Sequence, residues 1–128
     1  MTQGRFISIE GGEGAGKSTQ IALLAERLKA SGLSVDLTRE PGGTEGAEAI
    51  RQLLLGGGDD RWGPSAEAML FAAARSDHVE KRIKPAVTQG IWVISDRFLD
   101  SSRAYQGASL GVSDSVIMDL HRIGSGGY

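Results

Sequence analysis

Apolar and polar positions along the chain switch between a strand-like and a helix-like period. Phe6 to Glu10 is a short β-branched and aromatic run that reads as a buried strand. From about Lys17 to Ala30 the residues Ile21, Leu24, Ala25 and Leu28 recur on one helical face, and Gly32 is the expected stop. Val35 and Leu37 alternate with polar neighbours over Ser34 to Thr38, which predicts a second strand. Thr44 is the expected N-cap of a helix through Leu55, with Ala47, Ile50, Leu53 and Leu54 as its apolar face. Gly56, Gly57 and Gly58 end it, and Asp59 to Gly63 reads as loop. Pro64 opens the next helix, which runs from Ser65 to about Arg82 and turns Met69, Leu70, Ala73 and Phe71 toward packed surroundings. Pro85 interrupts that pattern, and Ala86 to Gln89 forms a further turn closed by Gly90. Ile91 to Ser95, IWVIS, has the apolar character of a central parallel strand. Ser113, with Asp114 in the first turn, starts a helix carrying Val116, Ile117 and Leu120.

Strands alternating with helices predict an α/β fold, a doubly wound parallel sheet with helices on both faces. Only three strands are predicted, which is few for such a sheet. The expectation is therefore one domain over residues 1–128, the N-terminal portion of a longer protein whose further strand and covering helix follow Tyr128.

The first candidate chemistry lies between the first strand and the first helix. Gly11 to Ser18 matches G-x-x-x-x-G-K-[ST], the phosphate-binding P-loop, in the strand–loop–helix context this motif needs. Gly11, Gly12, Gly14 and Gly16 let the backbone curl so that successive N–H groups form an anion cradle; Glu13 and Ala15 complete the loop, and Thr19 follows it. The helix N-terminus adds its positive dipole end. Lys17 supplies a charge for β- and γ-phosphates, and the Ser18 hydroxyl is a candidate Mg²⁺ ligand.

Three further groups fall near predicted strand or helix ends. Arg39 precedes a Pro-Gly-Gly turn at the end of the second strand, where open α/β sheets bind ligands. It reads equally as a phosphate ligand and as a solvated surface arginine. Phe71 and Arg75 share a helix face at i and i+4, which suits either a flat base or a core phenylalanine beside a surface arginine. Asp96 and Arg97 end the third strand, as a Mg²⁺-directed carboxylate with a phosphate-binding arginine or as a local ion pair. Phe98 to Gly107 is polar and reads as an active-site segment. His78 and His121 fall outside any catalytic constellation, which leaves them surface or packing roles.

Composition narrows the function classes. The net charge of −2 gives no sign of a nucleic-acid partner. The absence of cysteine excludes disulfides and thiolate metal sites. No apolar run approaches the roughly 20 residues that span a membrane, and MTQGRF carries no signal-peptide core, so the expected location is the cytoplasm.

Four segments together resemble the bacterial thymidylate kinase family: EGGEGAGKST at Glu10 to Thr19, TREPGGT at Thr38 to Thr44, LFAAAR at Leu70 to Arg75, and SDRFLDSSRAYQG at Ser95 to Gly107. The resemblance covers essentially the whole chain. It implies transfer of the γ-phosphoryl of ATP to dTMP with Mg²⁺, in dTTP synthesis, by a homodimer. It implies that Glu13 sits near the sugar 3′-hydroxyl, that Arg39 and Arg97 hold the acceptor phosphate, and that Phe71 stacks on thymine. Arg75 would bond the base edge, with Ser102 and Gln106 near the base and Tyr105 beneath the deoxyribose. Asp96 would act on Mg²⁺ or the reacting phosphates. Ala15 stands where one subgroup of the family carries a loop arginine, so the resemblance implies the subgroup whose catalytic arginine lies in a lid, expected after Tyr128 together with the adenine-contacting segment. Rival readings are a kinase for another nucleoside monophosphate such as dGMP or dCMP, a nucleotide-binding fragment without turnover, and a GTP-driven switch. The chain contains no asparagine, so the guanine-reading N-K-x-D is absent, and Asp60 to Gly63 fits D-x-x-G only by letters.

Overall fold

A computed structural model describes residues 3–11, 16–57 and 61–128. Three strands, β1 (Phe6–Ile9), β2 (Val35–Arg39) and β3 (Trp92–Asp96), form one parallel sheet in the order β1-β3-β2. The register pairs Ile9 with Asp96 and Arg39 with Asp96. All three strands therefore finish at the same edge, and their last residues lie side by side. β3 is central, and its Val93, Ile94 and Ser95 are fully buried.

Helix α1 (Lys17–Ala30) packs against β2 and β3. Its inward face is Ile21, Leu24, Ala25 and Leu28, as the periodicity predicts. Gly32, at φ +89, follows its C-terminus and caps it through the Gly32 and Leu33 N–H groups, which reach back to Lys29 and Leu28 carbonyls. Helix α2 (Glu45–Leu55) is capped by Thr44, whose hydroxyl accepts from the Ala47 N–H at 3.1 Å. Helix α3 (Pro64–His78) begins at Pro64. It continues into a π-helical stretch, Val79–Ile83, and then α4 (Lys84–Thr88). Val79, Ile83 and Ala86 from this run pack with Val93 and Phe98 into the main core. Since successive strand residues point to opposite faces, Val93 and Ile94 place cover on both sides of the sheet.

Two expectations are corrected here. Pro85 does not interrupt the helix. The wider π turn before it changes the hydrogen-bond register, so the ring and missing N–H of Pro85 fall in the first turn of α4, where both are tolerated. Met69 and Ala73 do not face packed surroundings; Met69 is 53% exposed. The buried stripe of α3 is Ala68, Ala74, Arg75 and His78.

After β3 come α5 (Leu99–Ser102), a π-helical segment Arg103–Ser109, and α6 (Asp114–Ser125), which lies against α3. Among the described residues no helix is long and apolar enough to cross a membrane.

Candidate nucleotide cleft at the sheet edge

The common C-terminal edge of the strands opens into a cleft of about 920 Å³, within the range that holds nucleotide-sized ligands. Five parts of the fold supply its walls: the start of α1, the turn after β2, Arg51 and Leu55 of α2, one face of α3, and the segment from Asp96 to Leu110.

On the α1 side, Gly16 caps the helix at φ +77, a conformation that a side chain resists, and its carbonyl accepts from the Gln20 N–H. Lys17, Ser18 and Thr19 then line the cleft. The Lys17 ammonium forms an ion pair with Asp96. Ser18 and Asp96 also share a shallower groove beside the cleft. Their hydroxyl and carboxylate are hard oxygen donors, a set that fits Mg²⁺ arriving with phosphate oxygens and water. Gly11 follows β1, and Gly12, Glu13, Gly14 and Ala15 lie outside the described residues.

Three arginines line the same cleft. Arg39 is exposed and paired with Glu48 at 3.3 Å. The Gly43 N–H, and after it the Arg39 guanidinium, hold the Glu48 carboxyl below its usual value. Arg97 follows β3 at φ +74, the one non-glycine residue with positive φ among the described residues. Its N–H donates to Ile9 O at 3.0 Å and its carbonyl accepts from the Ser95 hydroxyl at 2.7 Å, so the strained backbone is tied on both sides. Its guanidinium lies 5.4 Å from the Tyr105 ring centroid. The third is Arg51 of α2, which donates to Pro41 O at 2.7 Å. Burial, with the charges of Arg39 and Arg97, lowers its pKa below the ordinary arginine value, yet guanidinium stays charged. Three cations facing one cleft constitute an anion site. Sequence reading missed Arg51, for it sits in a helix interior with no motif around it.

The α3 wall carries Phe71 and Arg75, both facing the cleft as the i, i+4 spacing predicts. Arg75 is 4% exposed. Its Nε donates to Glu40 Oε1 at 2.7 Å, and its Nη2 donates to Phe98 O at 3.1 Å and Ser102 Oγ at 2.8 Å. Gln106 is buried beside them, and its Oε1 has no hydrogen-bond partner among the described residues. Tyr105 is 41% exposed and lines the same cleft. Every expected site residue within the described segments, apart from Gly11, therefore reaches this one cleft. His78, which the sequence leaves to surface or packing, is fully buried and bonded to Glu40 and Thr38. The clue was its spacing: His78 is three residues after Arg75, on the same helix face. Glu40 begins the turn after β2, through a cis peptide to Pro41.

A P-loop motif between β1 and α1, a parallel sheet and an arginine-lined cleft at its C-terminal edge define the class: a P-loop α/β domain. Comparison with known proteins narrows it. The family model for thymidylate kinase matches residues 9–123. A thymidylate kinase of Rhizorhabdus wittichii is 63% identical over 125 residues, covering 98% of this chain and 60% of that protein. One from Caulobacter vibrioides is 58% identical over 127 residues, covering 99% of this chain and 61% of that protein. The crystal structure of thymidylate kinase from Ehrlichia chaffeensis superposes with a TM-score of 0.84 at 43% identity, over 94% of this chain and 68% of that one. The chain belongs to the thymidylate kinase family. It spans about 60% of the length of these curated relatives.

Proposed function

We propose that the intact protein transfers the γ-phosphoryl group of ATP to dTMP, giving dTDP and ADP. The observation that carries this reading is the pairing, in one cleft, of a three-arginine anion site with a half-bonded Arg75. Arg75 has five N–H donors. Three are used by Glu40, Phe98 and Ser102, and the two on Nη1 have no bond among the described residues. Two free donors suit a carbonyl oxygen on a base edge, and the unpartnered Gln106 Oε1 suits a ring N–H. A 4-oxopyrimidine such as thymine offers both; cytosine offers an amino group where Arg75 needs an acceptor. Phe71 supplies the stacking face, and Tyr105 the floor below the sugar. The resemblance assigns Glu13 to the sugar 3′-hydroxyl.

The chemistry follows from charge. A dTMP phosphate oxygen, already ionised, attacks the γ-phosphorus; a new P–O bond forms while the bond to the β-phosphate oxygen breaks, and ADP leaves with the electron pair. Little covalent work falls to the protein, so placement and neutralisation dominate. Lys17 holds the transferring phosphate, exchanging Asp96 for it. Arg39, Arg51 and Arg97 hold the acceptor phosphate in line. Ser18 and Asp96 would hold Mg²⁺, which would supply neutralisation of the phosphate charge. ATP is co-substrate, neither nucleic acid nor membrane is a partner, and a homodimer in the cytoplasm completes the reading.

The test is conversion of dTMP to dTDP by the intact natural chain with ATP and Mg²⁺, against dGMP and dCMP at equal concentration. Preferential dTDP formation is expected. Preference for dGMP or dCMP would replace the acceptor assignment, and nucleotide binding without any product would favour a non-catalytic role.

A further inference from the structure

Arg75 does not stand alone at the base of the cleft. It ends a buried chain of hydrogen bonds that starts on β2. Thr38 Oγ1 lies 2.7 Å from His78 Nε2, and His78 Nδ1 lies 2.8 Å from Glu40 Oε2. The other carboxylate oxygen of Glu40 accepts from Arg75 Nε at 2.7 Å. His78 is fully buried, Arg75 4% exposed and Glu40 6%. The donor count closes in only one way with a neutral imidazole. Glu40 accepts on both oxygens, so His78 carries its proton on Nδ1, and Nε2 then accepts from the Thr38 hydroxyl.

This arrangement does two things. It fixes the Arg75 guanidinium through Nε, and Phe98 and Ser102 hold Nη2, so the donors without a bond among the described residues are those on Nη1. It also fixes the turn that follows Arg39. A side chain at Gly43, which sits at φ +96, would strike the His78 ring and the Thr38 hydroxyl. The turn thus closes onto His78 itself. Asp77 takes the Thr44 hydroxyl, and Arg82 donates to Gly43 O at 2.9 Å, so neighbours of His78 buckle the same turn. Base edge and acceptor phosphate are read by arginines on opposite ends of one bonded unit.

We propose that His78, acting through Glu40, is a positioning residue that orients Arg75 for the acceptor base and locks it to the turn after β2. This rests on the acceptor reading given above. The ring nitrogen next to Cγ matters most, since Nδ1 is the atom that reaches Glu40. Asparagine places an amide N–H at that position; glutamine reaches toward Thr38 instead.

The experiment measures dTMP affinity and the KM for ATP in the intact natural chain, its His78→Asn and its His78→Gln variants, with the thermal midpoint of each. His78→Asn should keep dTMP affinity within about threefold of native. His78→Gln should weaken it about tenfold, the scale of one lost bond to a charged group, with the KM for ATP unchanged. If either variant fails to fold, Glu40→Gln reads the same link and should match the His78→Gln loss. Equal dTMP affinity in native and His78→Gln, or equal weakening of dTMP and ATP in both variants, would overturn the positioning role alone. Native protein that binds dCMP or dGMP but not dTMP would overturn the acceptor reading, and this inference with it.

Discussion

The ammonium of Lys17 is paired with the carboxylate of Asp96, across the edge where β1 and β3 end. The two residues are 79 positions apart, and only the parallel register brings them together. On the proposed reading, the pair keeps a cation at the cleft that a phosphate takes over from the carboxylate. Lys17→Met should therefore lower turnover by about 10³-fold, the scale of a lost transition-state charge contact. It should leave dTMP binding within about twofold, because the acceptor side is built from other elements. Steady-state kinetics with a separate dTMP titration check this, and undiminished turnover would contradict it.

Arg97, proposed above to hold the acceptor phosphate, has a strained backbone at φ +74. Glycine adopts that conformation without cost, so Arg97→Gly should stabilise the fold by about 1 kcal/mol. The same change should raise the KM for dTMP at least about tenfold by removing one phosphate contact. Opposite shifts in melting midpoint and affinity are the signature to look for. A variant that melts lower than native would show the φ to be cheaply held.

His121 predicts a pH dependence. Its ring packs edge-on to Phe98 at 5.7 Å, and its Nδ1 has no partner among the described residues. Burial, with the Arg75 charge after it, lowers its pKa below the ordinary value of 6.5. A base with a depressed folded pKa binds fewer protons folded than unfolded, so stability falls as pH drops below about 6.5. His121→Phe should flatten that limb of the stability curve between about pH 6.5 and 5. Denaturant melts across the range decide it; identical slopes in both proteins would assign the acid sensitivity elsewhere.

Phe71 faces the cleft at one turn from Arg75. Phe71→Ala should weaken dTMP binding about tenfold through lost stacking, with little change for inorganic phosphate as a competitor at the arginines. Equal weakening for both ligands would point to a rearranged α3.

Much of this arrangement is readable from local chemistry. Gly32 and Thr44 mark helix ends because the capping groups are within a few residues of the orphans they satisfy. The strand–loop–helix around Lys17 and the four motif segments locate the cleft residues, since each sits at a strand end or on one helix face. What the pattern misreads is α3. Apolar periodicity turns Met69 inward, whereas the helix buries Arg75 and His78. Their i, i+3 spacing puts them on one face, but their partners, Glu40 and Thr38, lie 35 and 40 residues earlier, so the burial of that face is not set locally. Pro85 is misread for a related reason: the π turn that accommodates it is set by packing of Val79 and Ile83, not by their helix propensity.

On the proposed reading, the cleft takes a 4-oxopyrimidine monophosphate. The most direct measurement is the thermal midpoint of the intact natural chain with dTMP, dCMP or dGMP at equal concentration. Ligand that binds only the native state raises the midpoint in proportion to the logarithm of its occupancy ratio. The account predicts an upward shift with dTMP well beyond those with dCMP and dGMP. A cooperative melt that dTMP leaves unmoved, or that dCMP or dGMP moves as far, would contradict the assignment of Arg75, Gln106 and Phe71.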